Sequence, residues 1–241
     1  MFICTHCDTQ NLKWSGRCSE CGKWGTLVDE STAPIAPGKK SNGKEKKSRP
    51  ATTLNLAQAT TAIVERQPTG ISELDRVLGG GLVPGSVTLL AGEPGIGKST
   101  IVAQLSATFH PNNQPSYYAS GEESEGQVRL RFVRLELDPQ FVIFSNATET
   151  GSIIAAAEQV KPSIVIIDSI QAMMTDGIES YPGTPTAVRA ATSELISFAK
   201  ASNVPVLIIG QVTKDGIVAG PKTLEHLVDT VLTLEGDTSS A

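Results

Sequence analysis

The octapeptide Gly92–Ser99 constrains the fold of this chain more than any other part of its sequence. It matches the pattern G-x-x-x-x-G-K-[ST] and lies between an apolar run, VTLLAG, and a stretch of helical periodicity, STIVAQLSATF. Glycines in such a loop let backbone N–H groups surround phosphates, and the N-terminus of the following helix adds partial positive charge. The sequence therefore predicts a strand–loop–helix unit that binds ATP. The expected contacts are the loop and the first helical residues: Gly92, Glu93, Pro94, Gly95, Ile96, Gly97, Lys98, Ser99 and Thr100.

Three residues of this pattern predict the chemistry of the bound nucleotide. Lys98 would reach the β- and γ-phosphates, and the Ser99 hydroxyl would ligate Mg²⁺. Asp168 ends the apolar run SIVIID and would act through water on the same ion. An aspartate at a strand end is usually a helix cap or a turn former, but beside a phosphate-binding loop we interpret it as catalytic. ATP and Mg²⁺ are therefore the expected cofactors of this part of the chain.

Hydrolysis also needs a group that orients or deprotonates the attacking water. The candidates are Glu122 and Glu123, which follow the apolar run SYYAS. Ser120, Ser124 and these acids could also cap the next helix, where carboxylates suit the helix dipole. The residues themselves leave the choice between Glu122 and Glu123 open.

Short apolar runs alternate with helical stretches from about residue 65 onward. We expect strands at 87–92, 116–120, 141–145, 164–168, 204–210 and 230–234, and helices at 98–108, 124–135, 152–160 and 186–202. Continuously apolar strands separated by helices are typical of a parallel sheet covered on both faces. The predicted fold class is therefore α/β, with a mainly parallel β-sheet flanked by helices.

All four cysteines lie in the first 21 residues, as Cys4-x2-Cys7 and Cys18-x2-Cys21. Two such pairs bring four thiolates to one metal at tetrahedral spacing, which closes the site and makes it structural. Disulfides are uncommon in cytosolic chains, and a redox motif would use one C-x-x-C rather than two. We therefore expect Cys4, Cys7, Cys18 and Cys21 to bind Zn²⁺.

The segment after the cysteines is basic, rich in Ser, Pro and Gly, and almost free of large apolar residues. It cannot bury a core and is typical of a flexible tether. We therefore expect three parts: a zinc module at 1–28, a basic linker at 29–60 and an ATPase domain at 61–241. Residues 1–49 hold nine Lys or Arg and five Asp or Glu within a chain of net charge −5, so any nucleic-acid contact would be local. No run approaches a membrane span and no secretory pattern opens the chain, so we expect a cytoplasmic protein.

Two polar loops, 173–186 and 211–223, follow strands that should end at the edge bearing the nucleotide. Such loops are consistent with contact to a substrate. Gln211 is well placed to contact the γ-phosphate and to pass its state to Thr213 and Lys214. A polar residue at a strand end is also often only a turn former.

The combination of these motifs resembles the bacterial RadA (Sms-type) DNA repair family, within the RecA/KaiC-like ATPases. The similar stretches are PTGISELDRVLGGGLVPGS at 68–86, SGEES at 120–124, IIDSIQ at 166–171 and the motifs between 212 and 229, behind a four-cysteine leader. The resemblance implies a RecA-like fold and a DNA-dependent ATPase that drives branch migration of recombination intermediates. It also implies a ring-shaped homo-oligomer on single-stranded DNA, a RecA-type recombinase as a partner, and DNA-facing loops at 173–186 and 211–223. It favours Glu122 as the catalytic glutamate.

This sequence departs from the family pattern in three ways. The Lys-Asn-Arg-Phe-Gly motif and the Lon-protease-like domain expected after the final strand are missing, so we expect a chain truncated at its C-terminus. Position 211 is Gln, as in RecA, where the resemblance leads us to expect His. The alternative functions are a KaiC-like ATPase switch that acts on proteins and a zinc-tethered adaptor with a degenerate nucleotide site. The zinc module counts against the first, and the intact Lys98, Ser99 and Asp168 count against the second.

Overall fold

The computed structural model describes residues 2–4, 9–11, 13–29, 65–177, 180–211 and 224–236. The chain divides into two units, Met1–Val64 and Glu65–Ala241. The second unit contains the strands β4 (Val87–Gly92), β5 (Ser116–Ser120), β6 (Val142–Ser145), β7 (Ile164–Asp168), β8 (Val206–Gln211) and β9 (Thr230–Leu234). Its helices are α1 (Ser72–Val77), α2 (Lys98–Thr108), α3 (Glu125–Arg134), α4 (Thr150–Val160) and α5 (Pro185–Ser202), with short 3-10 turns at Pro111–Asn113 and Ile170–Ala172.

The six strands form one parallel sheet in the order β6-β5-β7-β8-β4-β9. Successive residues of the central strands point to opposite faces, so that Tyr117 and Tyr118 of β5 belong to two different apolar clusters. Helices α4 and α5 cover one face with Ile153 and Leu195, among others. Helices α2 and α3 cover the other face, where Leu105 is fully buried. The predicted α/β class, with a parallel sheet flanked by helices, is confirmed.

Small shifts of the element ends have local causes. Strand β8 begins at Val206 rather than at 204 because Pro205 has no N–H for the ladder. Helix α3 begins after Ser124, whose hydroxyl accepts from the Gln127 N–H while the Gln127 side chain accepts from the Ser124 N–H. Helix α4 begins two residues earlier than expected because the Glu149 carboxylate caps it. Helix α1 was not predicted, and none of its residues is buried.

The described part of the first unit contains a small antiparallel sheet in the order β2-β1-β3. Its strands are β1 (Phe2–Cys4), β2 (Gln10–Asn11) and β3 (Leu27–Asp29). Its buried cluster consists of Cys4, Cys18 and Leu27. So few buried apolar groups cannot balance the chain entropy of folding, so a bound metal is expected to stabilise this unit. Residues 30–64, including most of the predicted linker, lie outside the described residues.

None of the helices in the described ranges has the length and the hydrophobicity that a membrane span requires.

Candidate nucleotide and metal sites

The candidate nucleotide site lies where four neighbouring strands end. Strands β5, β7, β8 and β4 are adjacent in the sheet and end at Ser120, Asp168, Gln211 and Gly92. The register pairs Ser120 with Asp168 and Gly92 with Gln211. In open α/β sheets, ligands bind outside the carboxyl ends of the strands. The topology therefore brings the residues singled out from the sequence to one edge.

The loop between β4 and α2 has the backbone that a phosphate cradle needs. Gly95 and Gly97 have φ values of +80° and +108°, which favour glycine because it has no Cβ. A Cβ added at either position would meet nothing within 4 Å, so the space beside the loop is open. Helix α2 starts at Lys98, and its first N–H groups and partial positive charge lie at this loop.

The Lys98 side chain folds back onto this loop and is only 6% exposed. Its Nζ donates to the carbonyl oxygens of Gly92 and Glu93, at 2.9 and 2.8 Å. Burial lowers the pKa of Lys98, while the nearby carboxylates of Asp168 and Glu122 oppose that shift. The ammonium is therefore held by neutral carbonyl groups that an anionic phosphate could replace.

Asp168 is a buried carboxylate with hydroxyl partners on two different elements. Its Oδ2 accepts a 2.7 Å hydrogen bond from the Tyr118 hydroxyl of β5. Burial is the main cause that raises the pKa of Asp168, while the Tyr118 hydroxyl and, more weakly, the Ser99 side chain of α2 oppose that shift. Carboxylate and hydroxyl oxygens are ligands suited to Mg²⁺, alone or through water. The paired Ser99 and Asp168 oxygens therefore fit the predicted magnesium position.

The two candidate glutamates have different environments. The Glu122 carboxylate accepts hydrogen bonds from Gln211 Nε2, at 3.0 Å to each oxygen, and from the Ser169 hydroxyl. Glu123 forms a two-point ion pair with Arg131 of α3. Glu122 thus lies among the strand-end residues, whereas Glu123 is engaged by a helix. The geometry favours Glu122 for a role at the nucleotide, in line with the resemblance.

Tyr118 and Ser169 belong to this site, but the sequence reasoning did not single them out. Tyr118 lies inside a buried apolar strand, and its partner Asp168 is fifty positions away. The register pairs Tyr118 with Ile166, two residues before Asp168, and therefore on the same face of the sheet. Only knowledge of that strand pairing could have revealed the contact. Ser169 follows Asp168 directly, so its place beside the edge could have been inferred from the sequence.

The cysteine geometry fits zinc. The Sγ atoms of Cys4, Cys18 and Cys21 all lie within 4.8 Å of one another, and those of Cys4 and Cys21 are 3.7 Å apart. Tetrahedral coordination with Zn–S distances of about 2.3 Å requires sulfur separations of about 3.8 Å. Three of the four predicted ligands are therefore brought together at the spacing of a zinc site. The fourth, Cys7, lies outside the described residues.

The two predicted DNA-facing loops are described only in part. Loop 173–186 follows β7 and the turn Ile170–Ala172, and all of it except residues 178–179 is described. Of loop 211–223, only Gln211 is described, so Thr213, Lys214 and Lys222 lie outside the described residues. The Gln211 backbone carbonyl lies 3.4 Å from Gln171 Nε2, which links the starts of the two loops.

Comparison with known families identifies both units of the chain. Residues 50–216 match the AAA domain family, and residues 2–29 match the rubredoxin metal binding domain. The chain is also similar to proteins named DNA repair protein RadA. The protein of Mycolicibacterium smegmatis is 43% identical over all of this chain and 52% of its own length. Those of Pseudomonas aeruginosa and Aquifex aeolicus are 43% and 41% identical over 98% of this chain, and over 52% and 51% of their own lengths.

These similarities confirm the resemblance to the bacterial RadA family and agree with the cysteine geometry in identifying a zinc-binding ribbon. The chain spans about half the length of the relatives it matches.

Proposed function

Because this chain belongs to the AAA domain family and its relatives are bacterial DNA repair proteins named RadA, we propose that it is a DNA-dependent ATPase of recombination and repair. The observation that carries the proposal is the junction of Glu122 and Gln211. Gln211 Nε2 lies 3.0 Å from each carboxylate oxygen of Glu122 and donates to them. This contact lies at the sheet edge where β4 ends and the phosphate-binding loop begins. Gln211 also begins the segment proposed to face DNA. Glu122, which could activate water, is therefore hydrogen-bonded to Gln211, through which DNA binding could act.

Lys98, Ser99 and Asp168 are proposed to bind the triphosphate. The Lys98 ammonium exchanges the carbonyls of Gly92 and Glu93 for phosphate oxygens, which also offset the cost of its burial. Ser99 and Asp168 would hold Mg²⁺, which neutralises developing charge on the β- and γ-phosphates when it is bound. Tyr118 holds one oxygen of Asp168, which fixes the orientation of that carboxylate.

Glu122 is proposed to orient and deprotonate the attacking water, which then adds to the γ-phosphorus as the bond to the ADP oxygen breaks. Its oxygens accept hydrogen bonds from the donors of Gln211 and Ser169. Gln211 would turn toward the γ-phosphate when ATP binds, freeing one Glu122 oxygen for water. That movement would displace residues after Gln211, so ATP binding and DNA binding would each change the affinity for the other, and DNA binding would also affect hydrolysis.

The proposed substrates are single-stranded DNA and recombination intermediates, with branch migration as the outcome of ATP-driven movement. Loops 173–186 and 211–223 would position the DNA, and a ring-shaped homo-oligomer would surround it. A RecA-type recombinase is the proposed protein partner, and the proposed location is the cytoplasm. The substrates, the ring and the protein partner follow from the family resemblance, whereas the location follows from the composition of the sequence.

The test is ATP turnover by this chain with and without single-stranded DNA, at two salt concentrations. Stimulation that weakens at higher salt is expected, because phosphate contacts release counterions. Lys98→Ala should reduce turnover by about 100-fold or more while zinc content stays unchanged. The exposed Lys200→Ala is the matched control and should leave turnover unchanged.

Hydrolysis by the wild type that DNA fails to stimulate would count against the proposal and favour the KaiC-like switch acting on proteins. The same assay on a chain extended beyond Ala241, with its oligomeric state measured, would show whether assembly restores stimulation. Normal turnover by Lys98→Ala would instead contradict the nucleotide site itself.

A further inference from the structure

We propose that Trp14 and Trp24 of the zinc module form a stacking surface for single-stranded nucleic acid, flanked by Lys13, Arg17 and Lys23. This surface is hereafter called the tryptophan face. It belongs to the first unit, whereas the strand-end residues assigned to ATP belong to the second unit. The inference rests on the proposed function, since it names a second place where the DNA substrate would be bound.

Both tryptophans are far more exposed than is usual for this residue type. Trp14 is 64% exposed and Trp24 is 76% exposed, and the chain contains no other tryptophan. The buried cluster of the module consists of Cys4, Cys18 and Leu27, so neither indole forms part of it. Large aromatic side chains that stay in water despite the favourable free energy of burial indicate a binding surface.

The two tryptophans lie on paired backbone segments of the module. Arg17 and Trp24 pair across an antiparallel bridge, and the Gly25 N–H donates to the Gly16 carbonyl at 2.8 Å. A Cβ added to Gly16 would lie 3.5 Å from the Trp24 ring, so this ring covers the Gly16 backbone. Trp14 is two residues from Gly16, and two residues of chain span at most about 7 Å. The Cα atom of Trp14 therefore lies within about 7 Å of the glycine that the Trp24 ring covers.

The charges around the indoles suit a phosphate backbone. Lys13 and Lys23 each directly precede a tryptophan, and both are exposed. Arg17 is exposed as well, and its guanidinium is oriented by a 2.8 Å hydrogen bond from Nε to the Gly22 carbonyl. Residues 13–28 contain these three cations and only one acidic residue, Glu20. The tryptophan face is thus positively charged, although the chain as a whole carries −5.

This combination favours nucleic acid over a protein partner. Sites that bind single strands without sequence preference combine basic side chains along the backbone with aromatic rings on which bases stack. The centres of protein–protein interfaces are also rich in tryptophan, but they are depleted in lysine. A lysine beside each tryptophan is therefore better explained by phosphate groups. Bases in duplex DNA are already stacked, so the indoles should prefer single strands.

The chain provides its own probe, because Trp14 and Trp24 are its only tryptophans. Titrating the 241-residue chain with a 20-nucleotide oligothymidylate should quench the indole fluorescence, whereas the matching duplex should quench it much less. Trp14→Ala and Trp24→Ala should each weaken the affinity for the labelled oligonucleotide by about 30-fold, the middle of the range for loss of one stacked base. Trp14→Phe and Trp24→Phe should retain most of that affinity, because phenylalanine still stacks. Leu130→Ala, a change at an exposed apolar side chain outside the module, is the control and should leave the affinity unchanged.

The outcomes separate this inference from the proposed function. DNA-stimulated hydrolysis without indole quenching, with unchanged affinity in the alanine variants, would overturn the tryptophan face and leave the motor proposal standing. That result would favour a protein partner for the two indoles. Absence of both DNA binding and stimulation would overturn both. If an alanine variant loses zinc, quenching of the wild type and the two phenylalanine variants still decide the question.

Discussion

The Tyr118 hydroxyl donates a 2.7 Å hydrogen bond to Oδ2 of Asp168, and both side chains are buried in the second unit. The two residues belong to the neighbouring strands β5 and β7. Burial is also the main cause that raises the pKa of Tyr118, so this hydroxyl stays protonated and can act only as a donor to the carboxylate. The contact fixes one oxygen of Asp168, while Ser99 lies at the same carboxyl group.

Tyr118→Phe removes this donor and keeps the ring in the core. A hydrogen bond to a charged group is worth about 1.5–3 kcal/mol, so we expect turnover to fall by about 10-fold or more. The bond lowers the pKa of Asp168, so its loss should raise that pKa and move the acid limb of the pH–rate profile to higher pH. Tyr117→Phe, a change at the neighbouring tyrosine on the opposite face, is the control. An unchanged pH profile in Tyr118→Phe would argue against positioning of Asp168 by Tyr118.

Glu122→Gln should reduce the rate of hydrolysis, whereas Glu123→Gln should mainly reduce stability. Glu122→Gln should lower kcat by about 100-fold or more but retain ATP binding, because it removes the proposed base and keeps the shape. Glu123→Gln should leave kcat within a few-fold and lower the melting temperature, because it breaks the ion pair with Arg131. The pair is partly exposed, so about 1 kcal/mol of stability is expected to be lost. Steady-state kinetics, nucleotide binding and thermal melting measure these effects, and a kcat loss confined to Glu123→Gln would reverse the assignment.

Asp168→Asn tests the cost of burying this charge. The folded-state pKa of Asp168 is raised, so between its ordinary and raised pKa the folded protein binds more protons than the unfolded chain. Stability therefore falls as pH rises through that window and stays lower above it. Removing the charge should raise the melting temperature of the nucleotide-free protein at neutral pH by a few degrees, while hydrolysis is lost.

The stability difference between Asp168→Asn and the wild type should shrink as the pH is lowered through the same window. Thermal melts of both proteins over an acidic to neutral series measure it. The exposed Asp138→Asn is the control and should show no such trend. A variant that is less stable than the wild type at neutral pH would show that the bonds to Tyr118 and Ser99 outweigh the cost of burial.

Cys18→Ser should release zinc without unfolding the ATPase unit. Cys18 is buried in the small cluster of the first unit, and the second unit has its own two apolar clusters. A chelator assay should show loss of the metal, and calorimetry should show an unchanged main transition. Ser19→Ala, at the next position, should keep the metal. Loss of the main transition in Cys18→Ser would overturn the description of the chain as two separate units.

The sequence predicted most of the fold because its signals are local. The loop pattern around Lys98, the continuously apolar strands and the cysteine spacing each depend on residues a few positions apart. The strands of the second unit agree with expectation within two residues, and the shifts at Ser124 and Glu149 are capping effects. The three short strands of the first unit were not predicted. Helix α1 was missed because its six residues are too few to establish a helical period, although Leu74 packs against the core.

Local sequence patterns were enough to identify the residues that could bind phosphate and metal, because such ligands require particular side chains at particular spacings. How these residues meet depends on strand order, register and packing. Because β7 lies between β5 and β8, Asp168 lies between the ends of these two strands. The register of β5 and β7 brings the Tyr118 hydroxyl within hydrogen-bond distance of the Asp168 carboxylate. Glu122 and Glu123, which the residues alone did not distinguish, have different partners in the structure: Arg131 pairs with Glu123, and Gln211 donates to Glu122. Such contacts join residues far apart in the chain, and only the packing of strands and helices against one another can specify them.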